Sequence, residues 1–474
     1  MTATTTTPSG MERPGLPEAA LVAHTLGLIE RPLAAPTRER LAQALLDWFT
    51  AGCSAAALPA AGRLRELAAR LFPGEGTAPV FGGTTRDPHT TLSPMAAGFA
   101  NAGITHLREI DDAHRAAMLH PGVVAVSPAL ALAPGLGLTQ RRVAQAVLAG
   151  YEVALRVGEA MGAGHAGLFH ATATAGSVGA AASAAVALGL GPAAFHHALG
   201  IAATQAAGLW QLVDDGAHEA KALHPAFAVR NGLTAAFAAQ AGFPGAAAFV
   251  TGRRGMRALL AGNGPVEVLA GDARDIARLH TATIKAWPAC AMLFTPLDAM
   301  LSLIEDHGLR ADDVAAVEVE IFSHALKIAG VHWPAAPAEA AFSLRYLLAV
   351  LLTRGRIGIA DTESPQPEDP ALKALAERIA VRGSEGFQQA FPGRRPSRVT
   401  VTLRSGQQLS AYRELRRGDP EDPYTWPALQ ARMRAFVPGM DDAQAAALVD
   451  ACERLLDPAR DDEPAAFPAA LFGA

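Results

Sequence analysis

The amino-acid sequence predicts a mainly α-helical protein with a large all-helical domain and a smaller α+β domain. The chain has 474 residues, of which 50% are hydrophobic and 18% are charged, so it can bury a large core in more than one domain. Residues 160–213 contain no Asp, Glu, Lys or Arg and are rich in Ala and Gly, which is typical of closely packed buried helices. The alternation of apolar and polar residues that indicates strands begins only after residue 275.

The all-helical domain is expected over residues 16–274. Apolar residues recur at helical spacing between 17 and 72, where prolines and a glycine divide the stretch into three amphipathic helices. The uncharged run after residue 160 consists mainly of small side chains and is broken by Gly191-Pro192, so we expect a packed helical core and no membrane span. Further helices are predicted over 94–107, 139–162, 177–190 and 225–242.

The smaller α+β domain is expected over residues 275–420. VAAVEVEIF at 314–322 and SRVTVTLRSG at 397–406 alternate as strands do, and QLSAYR at 408–413 completes a predicted hairpin. Residues 421–474 return to amphipathic helical spacing, and we expect these C-terminal helices to dock on the helical domain.

Charge, cysteine usage and the N-terminal residues exclude several classes of protein. A formal net charge of -5 gives no general attraction for nucleic acids or anionic membranes. The three cysteines are widely spaced and follow no CxxC pattern, which indicates a reducing, cytoplasmic setting without disulfides. Residues 1–15 have neither the cationic start nor the apolar core of a signal peptide, and we expect a disordered tail there.

The most chemically informative stretch is HLREIDDAHRAAMLHPG at residues 106–122. Glu109, Asp111 and Asp112 lie beside His114 and His120, so carboxylates that could orient imidazoles are close in sequence. This composition indicates an acid-base site. A solvated loop is the simpler alternative, and a metal-dependent hydrolase is another, although the HxH or HxxxE framework of such a metal site is missing.

Two further stretches carry candidate groups. His170 lies in GLFHATATAG before an Ala-rich helix, where Thr172 could cap the helix and favour a bound anion; a buried structural histidine is the alternative. Lys221 and His224 lie in a charged loop that opens the helix starting near residue 225, a placement suited to holding a carboxylate.

Lysine is rare in this chain. Only four of the 40 Lys and Arg residues are lysines, at positions 221, 285, 327 and 373. A codon bias toward arginine explains the scarcity but not the four positions. Because a compact ammonium with an adjustable pKa cannot be replaced by a guanidinium, Lys221 and Lys285 are candidate site residues.

Several motifs, in this order and spacing, resemble those of the MmgE/PrpD family over nearly the whole chain. They are FANAGITHLREIDDAHRAAMLHPG at 99–122, GYEVALRVG at 150–158, FHATATAGSVGAAASAA at 169–185, ALGIAATQAAGL at 198–209, KALHPAFAVRNGLTAAFAAQAGF at 221–243, TIKAWPAC at 283–290, FSLRYLLA at 342–349 and GDPEDP at 418–423.

The resemblance implies a helical domain with an α+β lid, a homodimer, and chemistry without metal or cofactor on small polycarboxylic acids. Three reactions are implied: dehydration of the 2-methylcitrate type, epimerisation of an iminodisuccinate-type diacid, and decarboxylation of cis-aconitate. The candidate catalytic residues are then His120, Asp111, Asp112, Glu109, His170, Lys221 and Lys285; Lys221, Lys285, His114, Thr172 and His224 are candidate substrate contacts.

All three implied reactions develop negative charge on a carbon beside a carboxylate or imine. His120 is therefore expected to transfer the proton at carbon, an aspartate of the DD pair to orient it, and His170 to act as the second acid or base. The resemblance implies a hydro-lyase first, because this is the best-attested activity of the family, and an epimerase second. Ala113 stands where decarboxylase-like members have Thr, so a decarboxylase is expected third. A non-catalytic helical scaffold is the rival from another class.

Overall fold

The computed structural model describes residues 15–83, 91–271 and 276–473. The described chain is mainly helical with two small sheets, which confirms the predicted fold class. It divides into two compact units: the first contains the described residues up to Thr105, Ala116–His280 and Ala446 onward, and the second contains His106–Arg115 and Thr281–Ala445. The expected tail at 1–15 lies, except for Gly15, outside the described residues.

The first unit is built from helices and one short two-stranded sheet. The sheet pairs β1 (Ala78–Pro79) with β2 (Thr91–Leu92) in antiparallel fashion. Its helices are α1 (Pro17–Glu30), α2 (Ala35–Ala55), α3 (Pro59–Leu71), α4 (Pro94–His106, whose last residue belongs to the second unit), α5 (Pro121–Leu136), α6 (Gln140–Ala166), α7 (Ala171–Ala187), α8 (Pro192–Ala203), α9 (Gln211–Asp214), α10 (Leu223–Gln240) and α11 (Met256–Leu259).

Small side chains allow the central helices of the first unit to approach one another closely. Every residue of α7 is buried, as the uncharged sequence predicts. A Cβ placed on Gly179 of α7 would lie 2.5 Å from the Cβ of Ala154 on α6, and one on Gly232 of α10 would lie 2.5 Å from the Cβ of Ala180. Any larger residue at either position would push the helices apart. Among the described residues, no helix is long and apolar enough to cross a membrane.

The second unit is built around a four-stranded sheet in the order β4-β3-β5-β6. The strands are β3 (Val314–Phe322), β4 (Ile379–Ser384), β5 (Ser397–Leu403) and β6 (Gln408–Arg413). Strand β3 is parallel to β4 and antiparallel to β5, and β5 and β6 form the predicted hairpin. The alternation of the sequence therefore predicted three of these four strands.

Helices cover the sheet of the second unit and complete its core. Leu297, Leu347, Val317 and Val399 belong to one buried hydrophobic cluster that joins helices and strands. The helices are α12 (Phe294–His307), α13 (Ser323–Ile328), α14 (Leu344–Arg354), α15 (Ile359–Glu363), α16 (Pro370–Ala376), α17 (Glu385–Gln388), α18 (Trp426–Phe436) and α19 (Asp442–Glu453, which continues into the first unit).

Candidate acid-base site

The second unit holds the first half of the chemically informative stretch, residues 106–115. The chain leaves α4 at His106 and turns at Glu109, whose φ of 56° lies in the left-handed region. It then forms an antiparallel bridge in which the Ala113 N–H donates to the Thr283 carbonyl oxygen at 2.9 Å and the Thr283 N–H donates back at 2.7 Å. This bridge places the carboxylates of the stretch close to Lys285.

His106 and Asp111 form a buried imidazole-carboxylate pair. His106 Nδ1 lies 2.8 Å from Asp111 Oδ2, and His106 Nε2 lies 3.6 Å from Glu109 Oε1. The two residues of the pair are 1% and 2% exposed. A carboxylate at this distance fixes the orientation of the ring and its tautomer. The predicted role of Asp111 in orienting His120 stays a prediction.

Lys285 is fully buried against the same carboxylates. Its Nζ donates to the main-chain oxygen of Glu109 at 2.6 Å and lies 3.4 Å from Glu109 Oε2 and 3.6 Å from Asp111 Oδ1. A buried ammonium needs this kind of compensation, since an uncompensated charge would cost several kcal/mol. Lys285 therefore forms one buried cluster with Glu109 and Asp111.

The same three acidic and imidazole groups could in principle surround a metal ion. His106, Glu109 and Asp111 each offer one ligand atom, and these atoms lie within 4.8 Å of one another. The ammonium of Lys285 already lies against both carboxylates, so a divalent cation would have to compete with it. We interpret the cluster as a proton and charge network.

The other predicted residues of this stretch are also buried. Asp112 is 3% exposed and His114 is 5% exposed, and His114 Nε2 lies 2.9 Å from Thr281 Oγ1. Each residue is therefore positioned by the surrounding protein, which argues against the alternative of a solvated loop.

The first unit holds a second group, centred on His170. His170 immediately precedes α7, and its Nδ1 lies 3.0 Å from His224 Nδ1 at the start of α10. A hydrogen bond between two Nδ1 atoms requires that one ring carries the proton and the other accepts it. Both rings are buried, at 2% and 8% exposure. The pair can therefore store and exchange one proton.

His120 lies beside this pair. It immediately precedes α5, and its ring centroid is 5.9 Å from that of His170, in an edge-to-face arrangement. Its main-chain N–H donates to Thr172 Oγ1 at 3.0 Å. Thr172 is the second residue of α7, and its hydroxyl supports the main chain of His120. The N-cap position of α7, which was expected for Thr172, is occupied by His170. The sequence correctly grouped these residues but misassigned the cap.

Lys221 lies three residues before His224 in the sequence. It is half-buried in a single 3₁₀ turn, His218–Ala222, which leads directly into α10. The turn fixes the backbone of Lys221 three residues before His224, and a long side chain there can still adjust its position.

Three residues near these groups were not predicted. The Trp210 ring lies 4.7 Å from the His170 ring, and its Nε1 donates to the Ala166 carbonyl oxygen at 2.8 Å. His165 Nε2 lies 2.7 Å from Thr174 Oγ1, and burial lowers the pKa of this histidine, so it stays neutral. His106 ends a predicted helix. No local sequence pattern separates any of the three from ordinary core residues.

The protein is a mainly helical chain of two units, and each unit carries a buried group that contains histidine. The group is His170 with His224 in the first unit and His106 with Asp111 in the second. Two family descriptions then match it, the MmgE/PrpD N-terminal domain over residues 21–269 and the MmgE/PrpD C-terminal domain over residues 287–457. The chain belongs to the MmgE/PrpD family, which confirms the resemblance found in the sequence.

Curated relatives agree with this assignment. The chain is 26% identical to a cis-aconitate decarboxylase of Aspergillus terreus over 347 residues, which are 67% of this chain and 70% of the relative. It is 32% identical to the cis-aconitate decarboxylase-like protein oryM of Aspergillus oryzae over 248 residues, which are 50% of this chain and 48% of the relative. Family and relatives together support an enzyme of the lyase type.

Proposed function

We propose that the protein is a cofactor-independent lyase that acts on a small polycarboxylic acid by proton transfer at a carbon next to a carboxylate, most simply a hydro-lyase of the 2-methylcitrate dehydratase type. The observation that carries this proposal is the arrangement of the His170–His224 pair with the His120 ring beside it. Elimination of water needs a base at carbon and an acid at oxygen, and this arrangement supplies two imidazole functions.

In the proposed reaction, His120 removes the proton from carbon and the C–O bond breaks as the alkene forms. The departing hydroxide takes a proton from His170 and leaves as water. His224 then supplies a new proton to His170 through the Nδ1–Nδ1 hydrogen bond. The indole of Trp210 packs on the His170 ring and holds that ring in place. Lys221 is the proposed partner of a substrate carboxylate.

The second unit carries a buried charged group of its own. Lys285 Nζ lies within 3.6 Å of carboxylate oxygens of Glu109 and Asp111, and the main-chain oxygen of Glu109 accepts a hydrogen bond from it. Lys285 remains a proposed site residue. Fixed charges of this kind stabilise developing negative charge more effectively than mobile ones. His114 and Asp112 remain proposed substrate contacts and positioning groups.

Decarboxylation is the second candidate, and the relatives favour it. In that reaction a C–C bond breaks, CO₂ leaves, and the electron pair that stays on carbon takes a proton from an imidazolium. Only one proton-transfer group is required, so the histidines of the first unit would also suffice. Epimerisation is a third possibility, in which His170 would return the proton to the opposite face of the carbon.

Proton NMR in deuterated buffer distinguishes these reactions. Purified protein is incubated separately with citrate, 2-methylcitrate, cis-aconitate and iminodisuccinate. A hydro-lyase produces an alkene signal from a hydroxy acid, a decarboxylase releases CO₂ from cis-aconitate, and an epimerase exchanges the α-proton for deuterium without forming an alkene. A folded protein that neither converts nor exchanges any of the four acids would contradict the proposal.

Variants test the assigned roles with a matched control. We expect His120→Gln and His170→Asn to lower turnover by roughly 10²- to 10⁴-fold, the usual contribution of general acid-base catalysis. His307→Asn changes an exposed histidine at the end of α12 and should leave turnover unchanged. Near-normal turnover by folded His120→Gln protein would remove His120 from the mechanism. The expected homodimer is tested separately by light scattering.

A further inference from the structure

A buried guanidinium in the second unit has no carboxylate partner among the described residues. Arg395 lies just before β5 and is 4% exposed. Its backbone is fixed, because its N–H donates to the Glu414 carbonyl oxygen at 3.0 Å and its carbonyl oxygen accepts the Thr295 hydroxyl at 2.7 Å. Its side chain packs against the Phe391 ring, 5.8 Å from the ring centroid, and its Nε is buried without a hydrogen-bond partner.

Arg416 provides a second buried guanidinium in the second unit. Arg416 is 1% exposed, and its Nη2 lies 2.7 Å from Asp419 Oδ1 and 2.8 Å from Thr283 Oγ1. Its Nη1, however, is buried without a partner among the described residues. Arg416 therefore has one edge satisfied by Asp419 and one N–H direction left open.

The carboxylates nearby do not balance these cations. Asp419 is shared, since Arg115 Nη1 also lies 3.6 Å from its Oδ2. Arg115 is further paired with Glu421 at 2.6 Å. Asp298, on α12, accepts hydrogen bonds from the Trp287 indole and the Arg417 N–H. None of the described carboxylates forms an ion pair with Arg395, and the charge of Asp419 is already shared by Arg416 and Arg115.

The electrostatics of the neighbourhood agree with an excess of positive charge. Burial lowers the pKa of Arg395 well below its usual value, and the charge of Arg416 lowers it further, while Asp419 and Cys290 oppose the shift. Burial alone would raise the pKa of Asp419, but Arg416 and Arg115 hold it at about 2. Because a guanidinium hardly ever loses its proton in a protein, the natural compensation is a bound anion.

A neutral donor adds to the two guanidiniums. Ser397, the first residue of β5, is fully buried, and its Oγ has no hydrogen-bond partner among the described residues. It lies two residues after Arg395, so in extended backbone both side chains leave the same side of the chain. The Arg395 N–H donates to the carbonyl oxygen of Glu414, which precedes Arg416 by two residues, so the three buried polar groups without described partners lie on adjacent chain segments.

We propose that Arg395, Arg416 and Ser397 form a binding site for one small inorganic anion of the size of a halide. The near-complete burial of all three residues limits the size of the ligand. The anion would neutralise Arg395 and accept hydrogen bonds from the open N–H groups and the hydroxyl. It would therefore stabilise the fold of the second unit.

Thermal unfolding in two salts tests the site without reference to turnover. Melting temperatures are measured in potassium chloride and in potassium gluconate at equal ionic strength, because gluconate is too large for the site. We expect chloride to raise the Tm of the wild-type protein by roughly 2 °C over gluconate, with saturation. Arg395→Met should lose the difference. Arg398→Met, which removes an exposed arginine of the same strand, should keep it.

An equal chloride effect in Arg395→Met and the wild type, or no effect in the wild type, would overturn the proposal. If Arg395→Met does not fold, a crystal of the wild-type protein soaked in bromide gives an independent answer. An anomalous peak within hydrogen-bond distance of both Arg395 and Arg416 supports the site, and the absence of a peak there refutes it.

Discussion

Lys285 Nζ lies 2.6 Å from the main-chain oxygen of Glu109 and 3.4 Å from a carboxylate oxygen of the same residue. The ammonium therefore depends on the backbone path of Glu109 as well as on its charge. That path is unusual, since Glu109 has a φ of 56°. The position of the Lys285 ammonium therefore depends on both the charge and the backbone conformation of Glu109, and each can be tested separately.

Removal of the ammonium should be costly. Lys285→Met leaves the buried carboxylate of Asp111 beside the half-buried one of Glu109 without their cation, so we expect the free energy of unfolding to fall by roughly 3–5 kcal/mol and turnover to be lost. Urea denaturation followed by circular dichroism measures the first effect. Lys373→Met, an exposed site on α16, is the control. A loss under about 1 kcal/mol would show that the carboxylates do not need Lys285.

The backbone at Glu109 can be tested with two variants that both delete the carboxylate. Glycine adopts the left-handed region without strain, whereas alanine does not. We expect Glu109→Gly to be more stable than Glu109→Ala by about 1 kcal/mol, as measured by urea denaturation. Equal stability of the two variants would mean that the turn at Glu109 relaxes when the carboxylate is lost.

The Nδ1–Nδ1 bond between His170 and His224 predicts that the two rings act as one unit. His224→Asn should lower kcat by roughly 10²-fold or more, and adding His170→Asn should cost much less than a second factor of that size. A pH profile of kcat for the single variants should also shift relative to the wild type. Losses that multiply in the double variant would show that the histidines act independently.

Asp298 predicts a pH dependence of stability. Burial raises the pKa of this aspartate from 3.8 to about 6 in the folded protein. The carboxyl group of Asp298 then binds its proton more tightly in the folded state than in the unfolded state. Its stabilising contribution to the free energy of unfolding is therefore present at low pH and declines between pH 4 and 6. The decline is about 3 kcal/mol, since each pKa unit corresponds to about 1.4 kcal/mol.

Asp298→Asn lacks this titration and supplies the reference. We expect the wild-type free energy of unfolding, minus that of Asp298→Asn, to fall by roughly 2.4 kcal/mol of this total from pH 4 to pH 7 in urea titrations, because part of the decline occurs below pH 4. A constant difference across the range would show that the carboxyl group titrates near its ordinary pKa.

The sequence predicts those parts of the fold that have a local cause. The long uncharged stretch predicts the buried helix α7, and the alternation of 314–322 predicts β3 with its observed ends. Strand β4, IAVRGS, alternates too weakly to be recognised, because as an edge strand it is exposed along much of its length.

The candidate site likewise has some features with a local cause in the sequence and others without one. Residue types and motif spacing predict His120, His170 and Lys285, whose roles stay predictions. The bridge between Ala113 and Thr283 joins positions far apart in sequence, and no local pattern reveals it. Such pairings depend on the packing of the whole unit, which also explains why Trp210 and His106 were missed.

The path of residues 106–115 has a consequence for how the protein is made. These residues belong to the second unit, although the rest of that unit, Thr281–Ala445, is translated much later, and the first unit receives its last piece only from Ala446 onward. Neither unit can fold completely until most of the chain has been translated. A gene cut between His280 and Thr281 would therefore yield two fragments that each lack a part held by the other, and co-expression of both would be needed to assemble them.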